Sequence, residues 1–230
     1  MGSPETAKKR GGYTPRGGGW GGVYTLFSER GGGGGLETKS LSFIDKTMPY
    51  SVIYCDPPWD YDGKTQHTSV TAVKSAIDHY PTLTLKELKT LKVEGLADAS
   101  GCLLFMWSSS PHLQQAIELM EAWGFEYKTV AFVWEKQKTN PGYYTLSQCE
   151  LCLVGKKGKI PTPRGSRNER QFLSEMRTKH SAKPSEIRDR IQRMFPGHKK
   201  VELFAREVPE GWDVWGNEVV STLGVSLQES

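Results

Sequence analysis

The chain has 230 residues, 37% of them hydrophobic, and its 30 Lys+Arg against 26 Asp+Glu leave a formal net charge of +4. That length suits one domain with a proper core plus a tail, and the mild positive balance is compatible with a polyanionic partner without being diagnostic of one. No stretch approaches the ~18 apolar residues that a membrane-spanning helix needs, and Lys8-Lys9-Arg10 is followed by glycines rather than by the apolar segment of a signal peptide.

Residues 1–47 are low in complexity. Glycine runs, including Gly31–Gly35, flank Arg10, Arg16 and Arg30, with Tyr13, Trp20, Tyr24 and Phe27 scattered between. Such a segment cannot bury enough surface to offset its ordering entropy, so a disordered tail is expected over 1–47. It reads either as an arm that touches phosphates and stacks on bases or as a plain flexible extension. A folded domain is expected over 48–220 and a short disordered tail over 221–230.

From Pro49 onward strands and helices alternate. Ser51–Cys55 (SVIYC) reads as a buried strand, and a long polar loop runs from Asp60 to about Asp78. Thr84–Leu91 has helical spacing, with Thr84 as N-cap and Glu87 completing a capping box. Gly101–Trp107 (GCLLFMW) fits a central strand. Pro111–Trp123 is predicted helical, with Leu113, Ile117 and Met120 on one face and Gly124 at its end. Phe125–Glu135 reads as a strand or a bent pair, and Glu150–Val154 as a strand closed by Gly155. The basic stretch Lys156–Thr178, with Arg164, Arg167, Arg170 and Arg177, either tracks a phosphate backbone or forms solvated surface. Pro184–Phe195 is predicted helical with Ile187, Ile191 and Met194 on one face, and Val201–Ala205 is the last core strand. This alternation argues for an α/β fold around a mostly parallel sheet. The four cysteines, Cys55, Cys102, Cys149 and Cys152, read as reduced thiols in or beside apolar strands. No second pair or histidine pair follows Cys149-x-x-Cys152 at zinc spacing, so no metal site is expected.

Asp56-Pro57-Pro58-Trp59 directly follows the first strand. Ligands of open α/β sheets bind beyond the carboxyl ends of strands, which puts Asp56 at a candidate site. The two prolines fix φ and lack an N–H, which aims the local carbonyls and suggests that they are free to accept. Trp59 offers a flat face for a nucleobase. An exocyclic adenine amine is a poor nucleophile because its lone pair is delocalised into the ring. Two acceptors, the Asp56 carboxylate and the Pro57 carbonyl, let that nitrogen pyramidalise and aim its lone pair at an electrophile.

Several blocks stand in order along the chain: YSVIYCDPPW, DHYPTLTL, CLLFMW, LMEAWGFEYKT, FVWEK, CELCLVGKKG, RTKHSAKP and KKVELFAREVPEGWDVWGNEV. Through them Tyr50–Val219 resembles the MT-A70 family of S-adenosylmethionine-dependent adenine methyltransferases, in particular its compact bacterial and phage-like members. The resemblance implies a Rossmann-like methyltransferase fold in permuted order, with helices on both faces of the sheet. It implies S-adenosylmethionine as cofactor, held by Asp56, Arg206, Asn217 and Glu218, with Asp56, Pro57, Pro58 and Trp59 as the catalytic motif. Tyr80 would line the adenine and methyl-donor pocket, and Trp107 would either wall it or pack in the core. His180 and Lys183, in H-S-x-K-P, would hold the target or the cofactor carboxylate, a structural role for His180 standing beside that. Where some members carry a cofactor-binding lysine, this chain has Cys149, and the zinc-finger modules of messenger-RNA methylating members have no counterpart in its spacing.

The activity implied is methylation of adenine N6 in nucleic acid, DNA before RNA. Its alternatives are a catalytically silent nucleic-acid-binding subunit of a heteromeric methyltransferase, or a cytosine-N4 methyltransferase. The partners implied are nucleic acid, no membrane, and a homodimer or a heterodimer with a related subunit. The location implied is the cytoplasm for a bacterial or phage protein and the nucleus for a eukaryotic one.

Overall fold

A computed structural model describes residues 49–60, 82–140, 144–177, 182–223 and 227. Seven strands form one sheet: β1 (Val52–Cys55), β2 (Gly101–Ser108), β3 (Glu126–Asn140), β4 (Ser147–Gly158), β5 (Phe172–Ser174), β6 (Lys200–Leu203) and β7 (Asp213–Trp215), in the order β5-β3-β4-β2-β1-β6-β7. The pairs β1–β2, β1–β6, β6–β7 and β3–β5 are parallel, and β4 runs antiparallel to both of its neighbours. The mixed α/β, mostly parallel sheet expected from the sequence is therefore present.

Helices α1 (Leu85–Thr90) and α2 (Leu113–Ala122) cover one face, and α3 (Ser185–Met194) covers the other. The period of two along the central strands divides the core accordingly. Ile53, Cys55, Leu104, Met106, Val201 and Leu203 point toward α1 and α2, while Val52, Tyr54, Leu103, Phe105 and Trp107 point toward α3. Every residue of β1 and β2 is buried, which is why both read as unbroken apolar runs rather than alternating ones.

Helix α1 forms as its capping box dictates: the Thr84 side chain accepts from Glu87 N–H, and Glu87 reaches back to the Thr84 backbone. On α2 the expected face packs on the core and widens to include Ala116 and Leu119. Ala116, Leu119 and Met120 are fully buried, while Leu113 and Ile117 pack at the margin. Trp123 donates from Nε1 to the Leu88 carbonyl at 3.0 Å, tying α2 to α1. Strand β4 continues past Gly155, which does not close it. A Cβ there would stand 3.1 Å from Phe125 Cβ and 3.3 Å from Met120 Sδ, so this glycine marks close approach of α2 to the sheet.

Strands β5 and β7 lie in segments read from sequence as irregular, each only three residues long at an edge of the sheet. β3 is bent, with register shifts against β4. Cys55, Cys102 and Cys152 are buried free thiols and Cys149 is half-buried. The 221–230 segment expected as a tail sends Leu227 into the core, 1% exposed, where its carbonyl accepts from Lys92 N–H at 2.9 Å. The 1–47 segment and most of the Asp60–Asp78 loop lie outside the described residues, and among the described residues no helix is long and apolar enough to cross a membrane.

Replacing Thr84 by Ala removes the α1 cap and should lower stability by about 1 kcal/mol. Urea denaturation should show a reduced midpoint with an unchanged m-value; an unchanged midpoint would show that the capping box contributes nothing.

Candidate active site

Because β1, β2, β3, β6 and β7 run the same way, their carboxyl ends share one edge of the sheet, and the antiparallel β4 begins there. The edge collects Asp56 just after β1, Lys136 in β3, Glu150 in β4, Arg206 after β6 and the Gly216-Asn217-Glu218 turn after β7. Lys183, one residue before the Pro184 N-cap of α3, enters the same edge from the helix side.

Four of these side chains form an alternating chain of charge. Lys183 Nζ lies 2.7 Å from Asp56 Oδ2 and 3.2 Å from Glu150 Oε2, and Lys136 Nζ lies 3.2 Å from Glu150 Oε1. All are largely withdrawn from water: the Lys136, Lys183 and Glu150 side chains are 6%, 13% and 19% exposed and Asp56 is 25% exposed. Trp107 lies beneath, its ring centroid 5.7 Å from Lys183 Nζ. Burial pushes the Asp56 carboxyl above its ordinary range, with Lys183 and Arg206 offsetting only part of that. Burial acts the same way on Glu150, but there Lys183 and Lys136 outweigh it and hold the group below its ordinary value. Lys183 is disfavoured as a cation by burial, yet Asp56 and Glu150 together raise it, so it stays protonated. The two carboxylates thus share one buried ammonium, and Asp56 is the one left closer to neutrality.

The Asp-Pro-Pro-Trp turn is stapled on both sides. The Pro57 carbonyl accepts from Trp59 N–H at 2.9 Å and the Pro58 carbonyl from Leu83 N–H at 2.8 Å. The carbonyls expected to be wholly free are therefore each engaged once, Pro57 locally and Pro58 by the strand-like bridge between Trp59 and Leu83. A carbonyl has two lone pairs, so Pro57 keeps one acceptor position. Trp59 is 8% exposed, donates from Nε1 to the Trp107 carbonyl at 3.3 Å, and stacks on His112 with centroids 5.6 Å apart at 12°. One face of the Trp59 ring is thus covered by His112, and the indole anchors the turn to the end of β2.

On the other side of Asp56, Arg206 Nε stands 3.5 Å from Glu218 Oε1, both partly exposed, and Asn217 between them in the turn is exposed. Arg206 is close enough to Asp56 to favour its ionised form. The turn is seated on the backbone of β6: Ala205 N–H donates to the Trp215 carbonyl at 3.0 Å, and a Cβ on Gly216 would stand 2.3 Å from the Ala205 carbonyl oxygen. Phe204, with φ of 60°, takes a left-handed conformation unusual for a bulky residue, and its ring meets Trp215 edge-on at 5.4 Å.

Of the residues singled out in the sequence, the structure brings Asp56, Pro57, Pro58, Trp59, Lys183, Arg206, Asn217 and Glu218 to one edge. Trp107 is fully buried, so it does not wall an open pocket; it supports Lys183 and donates from Nε1 to Tyr54 Oη at 2.6 Å. Tyr80 and His180 lie outside the described residues. Sequence reasoning missed Glu150 and Lys136: Glu150 gave a signal as a charged residue set in an apolar run, whereas Lys136 stands among Glu135, Gln137 and Lys138 and gave none. The basic stretch is divided: Phe172–Ser174 pairs with Val133–Glu135 near the Asp56 edge, whereas Arg164 and Arg167 line a cavity beside Leu103 and Lys156, toward the other end of the strands.

The MT-A70 family profile matches residues 50–218. Over 215 residues the chain is 53% identical to the Type II methyltransferase M.MunI of a Mycoplasma species, covering 86% of this chain and 90% of that protein. Over 194 residues it is 30% identical to the N(6)-adenosine-methyltransferase catalytic subunit METTL3 of Homo sapiens, covering 78% of this chain and 30% of that protein. Over 191 residues it is 28% identical to the N(6)-adenosine-methyltransferase MT-A70-like protein of Drosophila melanogaster, covering 78% of this chain and 29% of that one.

Lys183 lowers the Asp56 pKa, so Lys183→Met should raise it further above the ordinary carboxylate range of about 4. Carbon-detected NMR titration, with the signal assigned by its loss in Asp56→Asn, should show an upward shift of the Asp56 midpoint. A midpoint that stays put or falls would mean that the pair does not control Asp56.

Proposed function

The chain belongs to the MT-A70 family of methyltransferases, and on that footing we propose that it methylates the exocyclic N6 amine of adenine in DNA with S-adenosylmethionine as methyl donor. The observation that carries this reading is Asp56 at the carboxyl end of a buried parallel strand, ion-paired to Lys183 on one side and in the field of Arg206 on the other. The N6 target is supported by relatives named N(6)-adenosine-methyltransferases. DNA is the favoured substrate because the match extends along 90% of the Type II methyltransferase, against 30% of the human protein.

S-adenosylmethionine supplies an electrophilic methyl group on a sulfonium centre. The residues after β6 and β7 suit it: the Glu218 carboxylate can accept from both hydroxyls of a ribose, as acidic residues do in dinucleotide sites, and Arg206 and Asn217 add donors beside it. At the target base, Asp56 accepts one amino hydrogen and the second lone pair of the Pro57 carbonyl accepts the other. Lys183 fixes the carboxylate through Oδ2. Among the described residues no hydrogen bond reaches Asp56 Oδ1, which is the oxygen assigned to the amine. Nothing need abstract a proton before methyl transfer, because the amine becomes acidic only once the N–C bond has formed. Asp56, held above the usual carboxylate range, is then placed to take that proton and pass it to solvent. In duplex DNA the target base must first be extruded from the stack.

Purified protein with labelled S-adenosylmethionine should place label in DNA in excess of RNA, and mass spectrometry of digested nucleosides should identify N6-methyladenine. N4-methylcytosine, or product from RNA alone, would overturn the substrate reading. Asp56→Ala should lower kcat by at least about 10²–10³-fold, the loss seen when a transition-state hydrogen-bonding group is removed, with unchanged circular dichroism; retained activity would overturn the mechanism. Glu218→Ala should raise KM for the methyl donor about tenfold with a smaller effect on kcat, as loss of uniform binding does. An unchanged KM would remove Glu218 from the cofactor site.

A further inference from the structure

We propose that the protein has a second binding site, toward the opposite end of the sheet from Asp56, that takes a nucleotide through its base and its phosphate. A cavity of about 360 Å³ lies there between the sheet and the end of α3, within the range of small-molecule sites. Its β2 residue Leu103 is in register with Val52, three residues and so about 10 Å along the strand from Cys55. Its lining combines the accessible apolar Val130, Val154, Ile160 and Met194 with the cations Arg164, Arg167 and Lys156, over a buried layer of phenylalanines.

Arg164 points to the ligand. Its guanidinium lies over the Phe195 ring, 5.5 Å from the centroid, and its Nε is buried with no hydrogen-bond partner among the described residues. No carboxylate or carbonyl among them answers any other nitrogen of the group. A half-buried guanidinium without an acceptor is unusual, since buried polar groups are normally satisfied. The acid of the lining is already committed: Glu169 meets Arg193 Nε and Nη2 at 2.9 Å each. The loop that carries Arg164 is held in place, with Gly165 N–H donating to the Met194 carbonyl at 2.9 Å and Ser166 N–H to the Arg193 carbonyl at 2.8 Å. The uncompensated cation is therefore fixed rather than free to swing away. A planar fork of donors resting on an aromatic ring suits phosphate, and the accessible apolar side chains of Val130, Val154, Ile160 and Met194 suit the flat apolar body of a base. None of these residues belongs to the Asp56 edge, so occupancy of this site is separate from methyl transfer.

The test is calorimetric titration of the full chain with thymidine 5′-monophosphate, whose base has no exocyclic amine to methylate. Saturable binding, equal in Asp56→Ala and weakened at least about tenfold, or about 1.4 kcal/mol, in Arg164→Met, is the expected result. Lys156→Gln, on a separate strand, should weaken binding about threefold and decides the matter alone if Arg164→Met fails to fold. Competition by a short oligothymidylate identifies the ligand as a nucleotide within a strand; absence of competition identifies it as the free nucleotide. No saturable binding up to about 10 mM, or unchanged affinity in the folded variants, overturns the proposal.

Discussion

Two carboxylates approach one edge of a buried sheet, and they can remain there only because Lys183 stands between them. Asp56 comes from the end of β1 and Glu150 from the beginning of β4, strands separated by β2 in the sheet order. Unpaired acids in so dry a place would neutralise themselves by binding protons. Lys183 answers one oxygen of each, Lys136 answers the remaining oxygen of Glu150, and the Trp107 ring gives the ammonium a polarizable floor. The site's geometry and its charge state thus follow from one arrangement. It draws on four strands and the entrance of one helix, so the fold must be complete before the carboxylate is poised.

Much of this was legible in the amino-acid sequence, for identifiable reasons. Strands β1 and β2 are buried on both faces and so announce themselves as unbroken apolar runs. Helix α1 announces itself through a local hydrogen-bond device, Thr84 with Glu87, that needs no tertiary partner. The Asp-Pro-Pro-Trp motif sits where strand ends bind ligands, and the blocks around it carry the family. What stayed hidden depends on partners far along the chain. Edge strands β5 and β7 have three residues each and acquire their identity only from β3 and β6. The tie that holds α2 to α1 joins Trp123 to the Leu88 carbonyl, 35 residues earlier. Gly155 looks like a strand end and is instead a point of contact with Phe125 and Met120.

The same limit governed the site. Lys183 was visible as part of a motif, but its partners were not, because Glu150 stands 33 residues before it and reaches it only through the antiparallel course of β4. Trp59 reads as a stacking face for a base, and Trp107 as either a wall of the pocket or a core side chain. Their indole N–H groups were the missed clue, since a buried donor must find an acceptor. Trp59 finds the Trp107 carbonyl and Trp107 finds Tyr54, so both rings belong more to the frame than to the opening.

The seat of Gly216 has a wider meaning. Because the turn after β7 rests backbone to backbone on Ala205, with no room even for a methyl group, its position is set by the sheet and not by the side chains it displays. Asn217 and Glu218 are exposed on a fixed mount. A surface built this way can exchange its recognition groups one at a time while the platform beneath stays still, so divergence in what the turn contacts does not require redesign of the fold that presents it.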